Sequence, residues 1–189
     1  MSRADRAQLL KQRGVTLWLT GLSASGKSTI ACLVEKRLLD LGKLAYRLDG
    51  DNIRLGLNSN LTFSAADRAE NIRRIGEVAK LFTDAGVMVI ASFISPYQRD
   101  RDLVRAGMKA GDFVEIFVKV SLAAAEERDP KGLYKKARSG QIKGFTGIDD
   151  PYEPPLSPEL VIDTEQTSPG AAAEHIINYL RQGGYLGGA

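Results

Sequence analysis

Gly21-Leu22-Ser23-Ala24-Ser25-Gly26-Lys27-Ser28 fits G-x-x-x-x-G-K-[ST], the pattern of a loop that wraps the phosphates of a nucleotide. Its flanks agree with that reading. Val15–Thr20 (VTLWLT) is a short apolar run of strand type, and over residues 29–41 Ile30, Leu33, Val34, Leu38 and Leu41 fall at helical spacing before Gly42. A strand, a glycine loop and a helix gather inward-turned backbone N–H groups and the positive end of a helix dipole around one anion. Gly21 and Gly26 allow backbone angles and close approaches that a Cβ would block. Lys27 then reaches the β- and γ-phosphates, and the Ser28 hydroxyl is placed to ligand Mg²⁺.

Working outward, 189 residues with 43% hydrophobic and 26% charged content predict one globular domain over 1–189. The net charge of +3 suits small anions, and without a dense basic stripe it predicts no nucleic-acid partner. Cys32 is the single cysteine, so no internal disulfide forms; a reducing cytoplasm is expected, with Cys32 as core filler. The charged N-terminus has no signal-type apolar core, and no run approaches the roughly eighteen apolar residues of a membrane span.

Residues 1–14 read as a polar helix or arm. A second strand at 43–48 (KLAYRL) ends in Asp49-Gly50-Asp51-Asn52, where open α/β sheets place their ligands. Ser64-Ala65-Ala66-Asp67 is a capping-box pattern opening a helix to about Ala85, with Ile72, Ile75, Val78, Ala79 and Phe82 on its buried face. Arg68 and Asn71 continue that face towards the phosphate loop. Residues 87–93 (VMVIASF) predict a strand buried on both faces, 99–109 a helix, 113–120 (FVEIFVKV) a fourth strand, and 122–128 a short helix stopped by Asp129-Pro130. Residues 131–143 hold Lys131, Lys135, Lys136, Arg138 and Lys143 and no acid, so 129–150 reads as a basic lid; a solvated helix face is the alternative. A proline-rich extended connection, a short strand at 160–162 and a helix from Ser168-Pro169 to about Arg181 follow, with 183–189 as a loose tail. Strands alternating with helices predict a doubly wound, mainly parallel α/β sheet of about five strands, of the P-loop NTPase type.

The loop alone does not separate a kinase from a GTPase or a motor ATPase. A small chain, no N-K-x-D guanine-reading stretch and a basic flap after the fourth strand favour a small-molecule kinase, whose lid keeps water from the phosphoryl group. Two alternatives stand beside the reading given next: a kinase for another small or nucleotide acceptor, and a non-catalytic domain that senses a nucleotide product.

TLWLTGLSASGKST, YRLDGDNIRLGLN, FSAADRAENIRRIGEVAKLF, SFISPY and ERDPKGLYKKARSGQIKGFTGIDDPYEPP together resemble the adenylylsulfate kinase family. The resemblance implies transfer of the γ-phosphoryl of ATP to the 3′-hydroxyl of adenosine 5′-phosphosulfate (APS), with Mg²⁺ as cofactor and a homodimer as assembly. It also implies that this chain lacks a short N-terminal extension many members carry. By the same resemblance Asp51, Asn52, Arg54, Phe63, Arg68, Asn71, Ile94, Ser95, Lys131, Gly144 and Phe145 line the APS site. Gly21 to Thr29 hold the ATP phosphates, and Arg128 and Thr167 lie by its adenine. The residue types fit. Arg54, Arg68 and Lys131 are what a phosphosulfate anion requires, and Phe63 and Phe145 suit an adenine between two rings, although core packing explains either ring. A local ion pair with Asp129 or Glu126 would also explain Arg128.

For the chemistry, Lys27 and Asp51 are the expected catalytic side chains. Asp51 orients the acceptor hydroxyl, takes its proton, or holds Mg²⁺ with Ser28; Asp49 is the runner-up. His175, the single histidine, sits on the last helix and is expected to be a surface or packing residue. Ser95 matches a phosphoserine position of the family, but direct in-line transfer needs no carrier, so Ser95 is expected to contact APS without being phosphorylated.

Overall fold

The computed structural model describes residues 2–187; the Asp51 side chain also lies outside what it describes, as do Met1 of the expected arm and 188–189 of the expected tail. The chain runs α1 (Arg3–Leu10), β1 (Val15–Thr20), α2 (Lys27–Asp40), β2 (Ala45–Asp49), α3 (Gly50–Arg54), α4 (Ala65–Asp84), β3 (Met88–Ser92), α5 (Gln98–Ala106), β4 (Phe113–Lys119), α6 (Leu122–Arg128), α7 (Leu133–Arg138), β5 (Leu160–Asp163) and α8 (Pro169–Gln182). All five strands are parallel, in the order β2-β3-β1-β4-β5.

The central strands are apolar on both sides because helices cover both faces. Leu17, Leu19, Met88, Ile90 and Ile116 meet α2 and α8 on one face, while Trp18, Val89, Ala91 and Phe113 meet α4 and α5 on the other. Each large side chain removed fully from water there contributes about 1.5–3 kcal/mol. Trp18 anchors the second face, its ring 6.3 Å from Phe93 and 5.7 Å from Phe113. A third cluster, Val120, Ala125 and the fully buried Tyr134, packs against Leu22, Phe145 and Ile148 and seats the lid on the phosphate loop.

Connections leaving β1 and β3 run in opposite directions across this sheet, which opens a crevice over their carboxyl ends. Three loops reach it: the phosphate loop from β1, the DGD segment from β2, and Phe93-Ile94-Ser95 from β3.

Several elements differ from expectation. The DGD segment opens a short helix, α3, too brief to show a period. Asp49 Oδ1 accepts from Asn52 N at 3.1 Å and Asn52 Oδ1 accepts from Asp49 N at 3.0 Å, a reciprocal cap. At α4, Ser64 Oγ accepts from Asp67 N as expected, but the Asp67 carboxylate takes Thr62 N instead of closing the box on Ser64. Cys32 is exposed on α2, because its position falls off the stripe of Ile30, Ala31, Val34 and Leu38, which corrects the expectation of a core residue. His175 is exposed. The tail, expected loose, is docked in its described part: Tyr185 is buried, its hydroxyl donates to Gly111 O at 2.8 Å, and its carbonyl accepts from Arg13 N at 2.8 Å. Within the lid, residues 144–149 fold back on themselves. Asp149 accepts from Gly144 N and Phe145 N at 2.6 and 2.5 Å, and these bonds hold its carboxyl below the usual range while folding 144–149 into a turn.

Candidate active site

The phosphate loop is an anion nest by construction. Ala24 (φ 59°) and Gly26 (φ 95°) sit in the left-handed region, which turns successive N–H groups inward. A Cβ on Gly21 would lie 2.4 Å from Val118 O, so only glycine lets the chain leave β1 against β4. Ser28 and Thr29 are exposed at the start of α2.

Lys27 is folded back into the loop. It is 8% exposed, and its Nζ donates to Gly21 O (2.9 Å), Leu22 O (2.7 Å) and Ser25 Oγ (3.3 Å). Burial pulls its pKa down to about 7. A polyphosphate entering the nest restores the preference for the ammonium and raises that pKa again. Between pH 7 and the pKa of the complex, nucleotide binding therefore takes up a proton. Calorimetry with Mg-ATP at pH 8, in buffers of different ionisation enthalpy, should show proton uptake in the native chain and none in Lys27→Ala; equal uptake in both would remove Lys27 as its source.

A second cationic group lies where α4 meets the lid. Arg68 Nη1 donates to Asp150 Oδ2 at 2.6 Å and to Thr146 Oγ1 at 2.8 Å, its Nε to Phe63 O at 2.9 Å, and its Nη2 to Gly144 O. One guanidinium thus joins the Phe63 loop to the Gly144-Phe145 turn. Arg54 lies over the Phe63 ring, 4.3 Å from its centroid, and burial, with Arg68 adding repulsion, lowers its pKa. Phe63 is 68% exposed, whereas Phe145 is half-buried edge-on to Tyr134 at 5.0 Å. Between this lid and the phosphate loop a cavity of about 470 Å³ opens, lined by Leu22, Leu122, Gly147, Ile148, Asp149, Asp150, Pro151 and Tyr152.

Other expected site residues have structural partners. Asn71 Oδ1 accepts from Asn58 Nδ2 at 2.9 Å inside the protein, and Asn52 caps α3. Of the lid cations, Arg138 pairs with Glu126 at 2.5 Å, while Lys131, Lys135, Lys136 and Lys143 are exposed. Arg128 forms neither local ion pair considered for it. Its Nη1 donates to Thr164 Oγ1 at 2.9 Å and its Nη2 to Thr164 O at 2.8 Å, and Thr164 adjoins Gly26. Thr167 follows in the same turn, its N–H on Asp163 O at 2.9 Å.

Ser95 is 2% exposed and faces inward. Its Oγ accepts from Trp18 Nε1 at 3.1 Å and donates to Phe93 O at 3.4 Å, so neither hydrogen-bond partner is a titratable base. Ile94 presents its carbonyl to Thr20 Oγ1 at 2.7 Å.

For a divalent cation, no cluster of three His, Cys, Asp or Glu exists among the described residues. Mg²⁺ takes one or two protein oxygens and fills its shell with phosphate oxygens and water. Ser28 and the acids after β2 are such donors. Ser92 stands at the end of β3, on the α2 side with Met88 and Ile90, and its buried Oγ lacks a partner, which fits a metal-bound water. Sequence reasoning missed Asp150, Thr146, Tyr152 and Thr20. The acids of Asp149-Asp150, a short loop after the basic stretch, were the available signal.

The family model described as adenylylsulphate kinase matches residues 13–163. The chain is 62% identical to adenylyl-sulfate kinase 2, chloroplastic, of Arabidopsis thaliana, over 98% of this chain and 65% of that protein's length. It is 57% identical to the adenylyl-sulfate kinase of Staphylococcus carnosus, over 95% and 90% of the two chains. Among solved structures, the APS kinase of Mycobacterium tuberculosis in complex with AMPPNP and APS superposes with a TM-score of 0.85 at 50% identity, covering 90% of this chain and 99% of that one. The family model over residues 13–163, the curated relatives and the solved structure agree: the chain belongs to the adenylylsulfate kinase family.

Proposed function

We propose that this protein transfers the γ-phosphoryl group of ATP to the 3′-hydroxyl of APS, giving 3′-phosphoadenosine 5′-phosphosulfate (PAPS) and ADP. The observation that supports the reading is a pair of guanidinium groups outside the phosphate loop: Arg54 lies over the exposed Phe63 ring, and Arg68 is bonded to Asp150, which lines a cavity together with Leu22 of the phosphate loop.

Residues Gly21 to Thr29 hold the ATP phosphates, with Arg128 and Thr167 beside the base. Arg54, Arg68 and Lys131 bind the phosphosulfate, Phe63 and Phe145 flank its adenine, and Asn52, Asn71, Ile94, Ser95 and Gly144 shape the pocket. The acceptor oxygen bonds to the γ-phosphorus as the bond to the β–γ bridging oxygen breaks, and Lys27 follows the charge onto the leaving oxygen. The acceptor proton passes to a carboxylate, for which we assign Asp51, with Asp49 the alternative. Ser28 and Asp51 would hold Mg²⁺, which would supply neutralisation of the phosphate charge. We extend the proposal to a single domain over 1–189, a homodimer and a cytoplasmic location. Among the described residues no helix is long and apolar enough to cross a membrane.

Transfer is direct. Ser95→Ala is expected to keep turnover within about tenfold of the native rate, while the Trp18 N–H left without an acceptor lowers thermal stability by about 1–3 kcal/mol. Near-complete loss in a folded variant that still binds both nucleotides would establish a covalent carrier instead.

Titration of APS into protein saturated with ADP tests the acceptor assignment by calorimetry. The proposal predicts saturable binding that AMP does not match; equal binding of AMP and APS would favour a nucleoside monophosphate kinase.

A further inference from the structure

We propose that Arg101 is a positioning residue that fixes the acceptor side of the crevice: it holds the Ile94-Ser95 turn and the segment around Glu153 that follows the lid in one register. The proposal rests on the reading of this crevice as the APS site and adds a residue to it.

Arg101 lies on α5, is 1% exposed, and pairs with Glu115 of β4, Nε to Oε1, at 2.8 Å. A buried ion pair adds little stability of its own, because apolar side chains of similar volume often do as well there. What the guanidinium adds is its fork. Nη1 donates to Ser95 O at 2.6 Å, and Nη2 donates to Glu153 O at 2.7 Å and to Gln98 Oε1 at 2.8 Å. Ser95 and Glu153 belong to segments 58 residues apart in sequence (153 − 95), joined again where Glu153 N donates to Pro96 O at 2.8 Å.

Two further observations place this hub beside the chemistry. Ser95 has φ 41°, a left-handed conformation that a non-glycine residue keeps only where its surroundings impose it, and such strain gathers at binding sites. The segment held at Glu153 also carries Tyr152, whose ring stacks on Phe117 at 6.0 Å with Arg101 5.9 Å from its centroid. The Tyr152 hydroxyl lies 3.0 Å from Thr20 Oγ1, the residue before Gly21. Thr20 spends its own proton on Ile94 O, so Tyr152 is the donor. Arg101 and Tyr152 therefore tie together the root of the phosphate loop, the acceptor turn and the segment that follows the lid. Two residues before Tyr152, Asp150 grips Arg68.

The test compares Arg101→Lys, which keeps a charge for Glu115 but cannot fork onto both carbonyls, with Tyr152→Phe, which keeps the stacked ring and loses the tie to Thr20. The expected result for Arg101→Lys is a rise of about tenfold or more in KM for APS, a smaller fall in kcat, and a KM for ATP within about threefold of native. Hydrogen exchange at the Glu153 amide should accelerate in the same variant. Tyr152→Phe should raise KM for APS several-fold without losing the fold, and it decides the matter if Arg101→Lys does not fold. Native KM values for APS in both variants, with only a lowered Tm, would overturn the proposal and leave a structural ion pair. Equal rises in both KM values would overturn it too. If the native chain does not turn over APS, the reading of the site fails separately; the exchange rate at Glu153 still judges the hub, and unchanged protection would overturn it.

Discussion

Replacing Lys27 by alanine is expected to lower kcat by about 10³-fold while leaving the fold intact. Phosphoryl transfer asks the protein mainly for position and charge, and a preorganised cation on the transferring group is among its largest contributions. Lys27 is the one cation that hydrogen-bonds inside the nest among the described residues. The native state carries a cost for burying it, seen in a pKa drawn down to about 7 from 10.5. Because the unfolded chain binds that proton more tightly, the ammonium works against folding at pH 7, and this penalty shrinks as pH rises towards 10.5. Lys27→Ala should therefore melt within a few degrees of native at pH 7. A rate assay paired with a thermal melt checks both halves. Near-native turnover would remove Lys27 from the mechanism, and a collapsed Tm would make it a structural residue.

Arg68→Ala should weaken APS binding by about a hundredfold, with ATP affinity changed by no more than about threefold. Charge-assisted hydrogen bonds to a buried or half-buried guanidinium contribute about 1.5–3 kcal/mol each, and tenfold in affinity is about 1.4 kcal/mol. Without APS, Arg68 is held by the Asp150 carboxylate, Thr146 and two carbonyls, a set of acceptors that an incoming phosphosulfate would partly replace. Asp150→Asn separates the two roles Arg68 could have. If Arg68 binds the anion, Asp150→Asn leaves APS affinity native or improved, because it removes a competitor. If Arg68 only struts the lid, both variants lose affinity alike, and that equality would contradict the assignment. Isothermal titration with APS reads the difference.

The parts of this molecule legible in its sequence are those whose constraint is local. Gly21 and Gly26 are fixed by a close approach and a left-handed angle within one loop, and the α4 stripe of Ile72, Ile75 and Ala79 repeats at helical spacing. The alternating strands and helices foretold the parallel sheet. What stayed hidden is held by long-range partners. Tyr185 looked like tail because its anchor, Gly111, is 74 residues away. Arg128 was expected beside the ATP base by resemblance, with an ion pair to a neighbouring acid as the alternative; its partner is Thr164, 36 residues on. α3 is five residues long and exists through a mutual cap of Asp49 and Asn52, below the length at which periodicity speaks. Nothing local marks Arg101, and only the fold brings Glu115, Ser95 and Glu153 around it. Ser95 was expected at the site by resemblance, but the inward turn of its hydroxyl depends on Trp18, 77 residues earlier.

The most direct test of two nucleotides meeting in one crevice is incubation of the protein with Mg-ATP and APS, followed by chromatography of both nucleotide pools. Equimolar appearance of ADP and PAPS is the predicted result. ADP released without PAPS, or no change in either pool from well-folded protein, would contradict it.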